Sequence, residues 1–129
     1  MIDDLLQIVK QCDRRKEWTD EQWIKTLTNC ISKGQYILKI KGKEINAFAC
    51  WVFLKDLNKF CNQYVEDERG KIAYIQSAYV KSGNNGLLKD MIKEGISRHK
   101  EATHIFFCDD KKDNDKFLIP VEKWRNKCY

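Results

Sequence analysis

Residues 70–96, GKIAYIQSAYVKSGNNGLLKDMIKEGI, constrain the fold of this chain more than any other stretch. From Lys71 to Val80 they are rich in Ile, Tyr, Val and Ala and contain no proline. That composition suits a strand buried on at least one face. Lys81-Ser82-Gly83-Asn84-Asn85-Gly86 then breaks the pattern, and Leu87, Leu88, Met91, Ile92 and Ile96 recur at helical spacing with Lys89, Asp90, Lys93 and Glu94 opposite them. The expectation is strand, glycine-bearing loop, helix. Such a loop presents free backbone N–H groups and the positive end of the helix dipole, so an anion such as a pyrophosphate can bind there. Lys81, Ser82, Gly83, Asn84, Asn85 and Gly86 are therefore the candidate ligand-binding residues. The bland alternative is that Gly83 and Gly86 merely supply positive φ in a tight connection, and an isolated glycine motif discriminates poorly between the two.

The rest of the chain arranges itself around this unit. Ile2, Leu5, Leu6, Ile8 and Val9 line one side of an amphipathic helix over residues 2–12, with Asp3 and Asp4 at its positive end. Residues 13–17 form a polar connection. Thr19 with Gln22 three residues on reads as a capping box, Trp18 and Trp23 as its hydrophobic staple, and Gly34 as the stop. Between them a helix over residues 20–32 turns Trp23, Ile24, Leu27, Cys30 and Ile31 inward. Residues 35–41 and 44–53 make a hairpin about Gly42-Lys43. Residues 56–68 read as a short, poorly anchored helix or a long connection. Residues 102–108 form a strand, 109–116 a charged loop, and 117–121 an edge strand, because Pro120 cannot donate to a ladder.

A chain of 129 residues makes one domain, 1–129, with a modest core. Charged residues are 33% and hydrophobic residues 43% of it, an ordinary globular composition. No apolar run reaches the length of a membrane span, and the first residues lack the basic start and apolar stretch of a signal peptide. The formal charge of +5 is spread among interleaved acids and bases, which permits an anionic partner without demanding one. With no arginine stripe or nucleic-acid motif, nucleic acid is the least supported partner class; it predicts steeply salt-dependent binding. The six cysteines are scattered with no CxxC pair, so they read as reduced thiols of a cytoplasmic protein. His99 and His104 stand at ligand spacing from no cysteine, so no metal site is expected.

Two helices, a hairpin and then a β-α-β unit give one mixed, mostly antiparallel sheet with helices on both faces, an α+β (α/β/α) sandwich. This order resembles the GNAT-type N-acyltransferase fold, in which the strand-loop-helix holds the pyrophosphate of coenzyme A. That loop has a basic residue or Gln, then two small residues. One register sets Lys81 at the basic position, Asn84 at the first small position and Gly86 at the second; another sets Gly86 first and Gly83 in place of the basic residue. The blocks from Trp18 through Gln35-Tyr36 to Ala47-Phe48-Ala49-Cys50-Trp51, and from Ile75 to Leu88 after a shortened connection, resemble a narrower family. It is that of the RTX toxin-activating lysine acyltransferases, of the hemolysin-activator type. The resemblance covers about half of the chain, in order.

The resemblance implies a protein that moves a fatty acyl group from acyl carrier protein, or from acyl-coenzyme A, to a lysine of a protein substrate, with no cofactor held covalently. The family's catalytic histidine falls by position on Arg15 and its aspartate on Ser77. A guanidinium keeps its proton at accessible pH, and a serine cannot orient an imidazole as a carboxylate does. An attacking lysine must still lose a proton. His104, Glu44 and the Cys50 thiolate are the remaining candidate bases, with structural roles the better expectation for His104 and Cys50. The competing reading is a catalytically silent, GNAT-like binding or accessory protein, such as a phage might encode. Both catalytic positions are substituted, the connection is short, and four tryptophans could form a partner surface.

Overall fold

The computed structural model describes residues 2–12, 18–55, 67, 69–81, 86–109 and 115–122. They form α1 (Ile2–Cys12), α2 (Asp20–Ser32), β1 (Tyr36–Lys41), β2 (Glu44–Leu54), β3 (Ile72–Val80), α3 (Leu87–Arg98), β4 (His104–Asp109) and β5 (Asp115–Pro120). The reading of residues 56–68 lies almost wholly outside the described residues.

Local signals set the ends of α2. The Gln22 N–H donates to Thr19 Oγ1 at 3.2 Å and the Thr19 N–H donates to Gln22 Oε1 at 2.8 Å, a complete capping box. Trp18 and Trp23 close over it with ring centroids 4.6 Å apart. At the other end the Gln35 N–H reaches the Cys30 carbonyl and the Gly34 N–H reaches the Ile31 carbonyl, with Gly34 at φ +70°. This is a Schellman termination, which needs a residue free to enter the left-handed region. Trp23, Leu27 and Cys30 are buried, but Ile24 is 38% exposed rather than inward. Ile24 and Ile31 are seven positions apart and so form one flank of the apolar stripe. Of the two, Ile31 is half-buried and packs against the core.

The sheet has the order β1-β2-β3-β4-β5. Neighbours pair antiparallel except β3 and β4, which are parallel and joined through α3. Gly42, at φ +63°, opens the two-residue turn between Lys41 and Glu44. Leu5, Val9, Trp23 and Leu27 of α1 and α2 pack with Phe48, Cys50, Val52, Tyr74 and Phe106 on one face of the sheet. On the other face Met91 of α3 packs with Ile37, Ala47, Ala49 and Trp51. β2 is thus covered on both sides, which is why residues 47–54 read as a continuous apolar run rather than an alternation. Glu94 accepts from Lys39 at 3.1 Å and from Arg98 at 3.0 Å, and Arg98 Nη1 donates to the Tyr36 carbonyl at 2.9 Å, tying α3 to β1.

The result is an α+β sandwich, a mixed and mostly antiparallel sheet with helices on both faces. Two boundaries differ from the sequence reading. β4 begins at His104, because the Thr103 N–H is already engaged by the Lys71 carbonyl before the parallel ladder starts. β5 begins at Asp115, opposite Asp109, so the hairpin takes up residues expected in the charged loop. Pro120 ends β5 on the outer edge of the sheet, where its missing N–H costs no ladder bond.

Candidate binding site where β3 and β4 part

The strand of the opening unit is continuous with β2 over its whole length, from Ile72↔Leu54 to Val80↔Ala47. Its pairing with β4 is not. Only Ile72↔His104, Ala73↔Ile105 and Tyr74↔Phe106 are joined, although β3 continues to Val80 and β4 to Asp109. The reason lies one step further along β3. Cys50 pairs with Ser77 and its neighbour Trp51 with Ile75, which leaves Gln76 as an extra residue in β3. A bulge of this kind bends its strand and increases the local twist. β3 therefore stays with β2 and turns away from β4, while β4 keeps its full pairing with β5. Residues 75–80 consequently have no ladder partner on β4 among the described residues, on the stretch of β3 that leads to Lys81.

Direct register assigns the side chains to faces. Ser77 lies opposite Cys50, on the α1/α2 side, and Ile75 opposite Trp51, on the α3 side. Trp51 is committed to the helix: its Nε1–H donates to His99 Nε2 at 3.0 Å, and its ring lies below Gly95. Ser77 is 5% exposed, and its hydroxyl has no hydrogen-bond partner among the described residues.

The loop residues divide. Gly86 is the N-cap of α3, with φ −83° and no side-chain cap, so it supplies no positive φ and the bland reading of that glycine is corrected. What it provides is an uncapped helix start whose leading N–H groups have no intrahelical acceptor. Lys81 is not a free cation. Its Nζ is bonded and ion-paired to Glu44, and its N–H donates to the Asn46 carbonyl at 2.8 Å. The mutual hydrogen bond raises the Lys81 pKa and lowers that of Glu44, with their opposite charges adding to it. Glu44 is accordingly a weaker base than an ordinary carboxylate. Arg15, Ser82, Gly83, Asn84 and Asn85 lie outside the described residues.

The other candidate bases do not converge on the opening. His104 begins β4 opposite Ile72, with Nδ1 2.9 Å from Thr103 Oγ1. Eight residue steps of strand separate Ile72 from Val80, about 26 Å at the usual rise, so His104 stands at the paired end of the parallel strands. Cys50 is fully buried in the α1/α2 core, and both it and Cys30 are free thiols.

His99, which the sequence reading treats only as a metal ligand candidate, is the histidine the fold uses. It caps the C-terminus of α3, presents its ring edgewise to Trp51 and Phe53, and accepts from the Trp51 indole. Burial, with the Arg98 charge adding to it, lowers its pKa. Accepting at Nε2 places the proton of the neutral ring on Nδ1. No local pattern announces this pairing, because Trp51 and His99 are 48 residues apart. Comparison with known proteins adds no name to these features: no family model, no curated protein and no solved structure matches the chain.

Proposed function

We propose that this chain is an acyltransferase-fold protein that takes the pantetheine arm of an acyl donor, acyl-coenzyme A or acyl carrier protein, into the gap between β3 and β4. The acyl group would pass to a lysine of a protein substrate. The observation that carries this reading is the end of the parallel ladder at Tyr74 and Phe106. Beyond it β3 runs on to Val80 with no ladder partner on β4 among the described residues, and α3 starts at Gly86 with no side-chain cap. An extended amide-bearing chain ending in phosphate complements both features. Likeness of the blocks around Trp18, Ala47–Trp51 and Ile75–Leu88 to the toxin-activating lysine acyltransferases supports the choice of lysine as acceptor. In the transfer, the neutral lysine nitrogen attacks the thioester carbonyl carbon, a C–N bond forms, the C–S bond breaks, and the thiol leaves with the proton the amine gives up. Isothermal titration with acetyl-coenzyme A, longer acyl-coenzymes A and acylated carrier protein tests the reading; no heat of binding with any of them overturns it.

A second reading has its own support. Ser77 is sealed from solvent, Lys81 and Glu44 satisfy each other, and His104 stands at the paired end of the parallel strands. No described base is placed to deprotonate an incoming lysine, which favours a binding or accessory protein on the same scaffold. Acyl transfer to any lysine substrate that disappears in Gly86→Trp would remove this reading.

A further inference from the structure

α3 is held to the sheet by contacts of two kinds. Leu87 and Met91 pack among Ile37, Ala47, Ala49 and Trp51, and Ile92 and Ile96 pack among Ala102, Ile105 and Val121, contacts that no proton changes. Toward the last turn polar contacts are added: Lys39 to Glu94, Arg98 to the Tyr36 carbonyl, and the Trp51 indole N–H to His99 Nε2. Of these groups the imidazole is the one that changes charge in the neutral to mildly acidic range. A protonated ring carries hydrogen on both nitrogens. Two donors would then face each other across the 3.0 Å that separates Trp51 Nε1 from His99 Nε2. The indole, on a residue only 4% exposed, would lose its acceptor, and an orphaned buried donor disfavours the closed arrangement on the order of 10-fold or more. The surroundings offer an imidazolium little compensation. β2 faces it with the uncharged rings of Trp51 and Phe53. Arg98 on α3 and Lys39 on β1 are positive, and Glu94 is engaged by both of them. Lys100, Glu101 and Glu122 on the neighbouring segments are exposed. Burial and the Arg98 charge accordingly oppose the charged form of the ring.

We propose that the Trp51–His99 bond is a proton-operated latch: on protonation of His99 the last turn of α3 and the connection leading to Ala102 swing off β2, while the body of α3 stays on the sheet. The ring is only half-buried, so a proton reaches it from solvent. Once swung out, the imidazolium is hydrated. The bonds its turn holds, from the His99 N–H to the Gly95 and Ile96 carbonyls and from the Ala102 N–H to the His99 carbonyl, then break. The movement uncovers the indole edge of Trp51 and the ring of Phe53, an apolar surface shown at mildly acidic pH and withdrawn at neutral pH. The latch is independent of the acyl-donor reading, since it works at the opposite end of α3 from Gly86.

The test is amide hydrogen exchange along the whole chain, corrected for the intrinsic rate at each pH. Between about pH 7.5 and about pH 5.5 the protection of the His99 and Ala102 amides should fall by up to about 10-fold, the factor by which an open form of ordinary pKa near 6.5 gains over a closed form that resists the proton. The amides of β2, β3 and Met91 keep their protection. In His99→Gln, whose side-chain oxygen can accept from the indole and takes up no proton, the protection of residue 99 and Ala102 is the same at both pH values. Unchanged protection of His99 and Ala102 in the wild type overturns the latch. So does an equal loss along β2 and β3, which would be unfolding of the whole domain, or the same fall in His99→Gln. A second measurement needs no variant: the Trp51 indole N–H resonance shifts with the same pH midpoint as the His99 ring, and separate midpoints overturn the proposal.

Discussion

Gly70 offers a measurement of how tightly the end of β2 is held against the start of β3. A Cβ built on Gly70 would lie 2.5 Å from both the carbonyl carbon and the carbonyl oxygen of Leu54, and 2.8 Å from its nitrogen. Non-bonded carbon atoms settle at about 3.5–4.0 Å, so the two chains must separate by about 1 Å to admit a methyl group. The obstacle is backbone and cannot rotate aside. Leu54 is the residue paired with Ile72 and is itself buried in the core. The approach is fastened by the Gly70 N–H to the Asp67 carbonyl at 2.8 Å and the Asp67 N–H to the Phe53 carbonyl at 2.9 Å. Gly70→Ala should therefore cost about 2–3 kcal/mol, the upper part of the range for overpacking, from a total on the order of 5–15 kcal/mol. Gly95→Ala is the internal contrast. Its Cβ would meet Trp51 Cη2 at 3.8 Å and Ile37 Cδ1 at 3.9 Å, ordinary contacts, and glycine is the poorer residue inside a helix. That exchange should stabilise by about 0.5–1 kcal/mol. Urea unfolding followed by tryptophan fluorescence reads both, with midpoints moving in opposite directions and m unchanged. A Gly70→Ala protein as stable as the wild type would refute the argument from close approach.

Three further outcomes are expected. Thr19→Ala removes the acceptor for the Gln22 N–H and should lower stability by about 1 kcal/mol, which chemical denaturation will register; an unchanged midpoint would mean that the Trp18–Trp23 contact alone holds the start of α2. The lowered His99 pKa means that the unfolded chain takes up that proton first, so its contribution is constant above about pH 6.5 and is lost as pH falls below that value. His99→Gln should flatten the stability profile below about pH 6.5, and profiles that superimpose would contradict the Trp51–His99 account. Glu94, held below its ordinary pKa chiefly by its bond from Lys39, should lose its support of the α3–β1 contact only as pH falls through and below the ordinary carboxylate range near 4.5. Hydrogen exchange at the end of α3 in Glu94→Gln, compared with the wild type at pH 7, would detect it; equal protection would mean that the apolar contacts of α3 suffice.

What the amino-acid sequence determined by itself is local. Thr19 with Gln22, and Gly34 with Gln35, mark the two ends of α2, because capping bonds join residues within one turn of each other. Gly42 marks the first turn of the sheet for the same reason, and the apolar spacings separate helix from strand. The order of those elements was enough to reach an α+β sandwich with a mixed sheet. The ligand-facing details depend instead on alignments between distant segments. The bulge at Gln76 is a mismatch of register between β2 and β3, and neither strand carries it in its own periodicity. The parallel ladder stops where that bulge bends β3 away from β4, a strand about thirty residues further on. Lys81 looks like a free cation until β2 brings Glu44 beside it, and His99 looks unremarkable until α3 lays it on Trp51. Ile24 reads as core from its helical spacing, yet it is 38% exposed once α2 has packed. Short-range hydrogen bonds are encoded where they form, but which strand edges remain unpaired, and which buried hydroxyl is left without a partner, depends on how the whole sheet twists to cover its core.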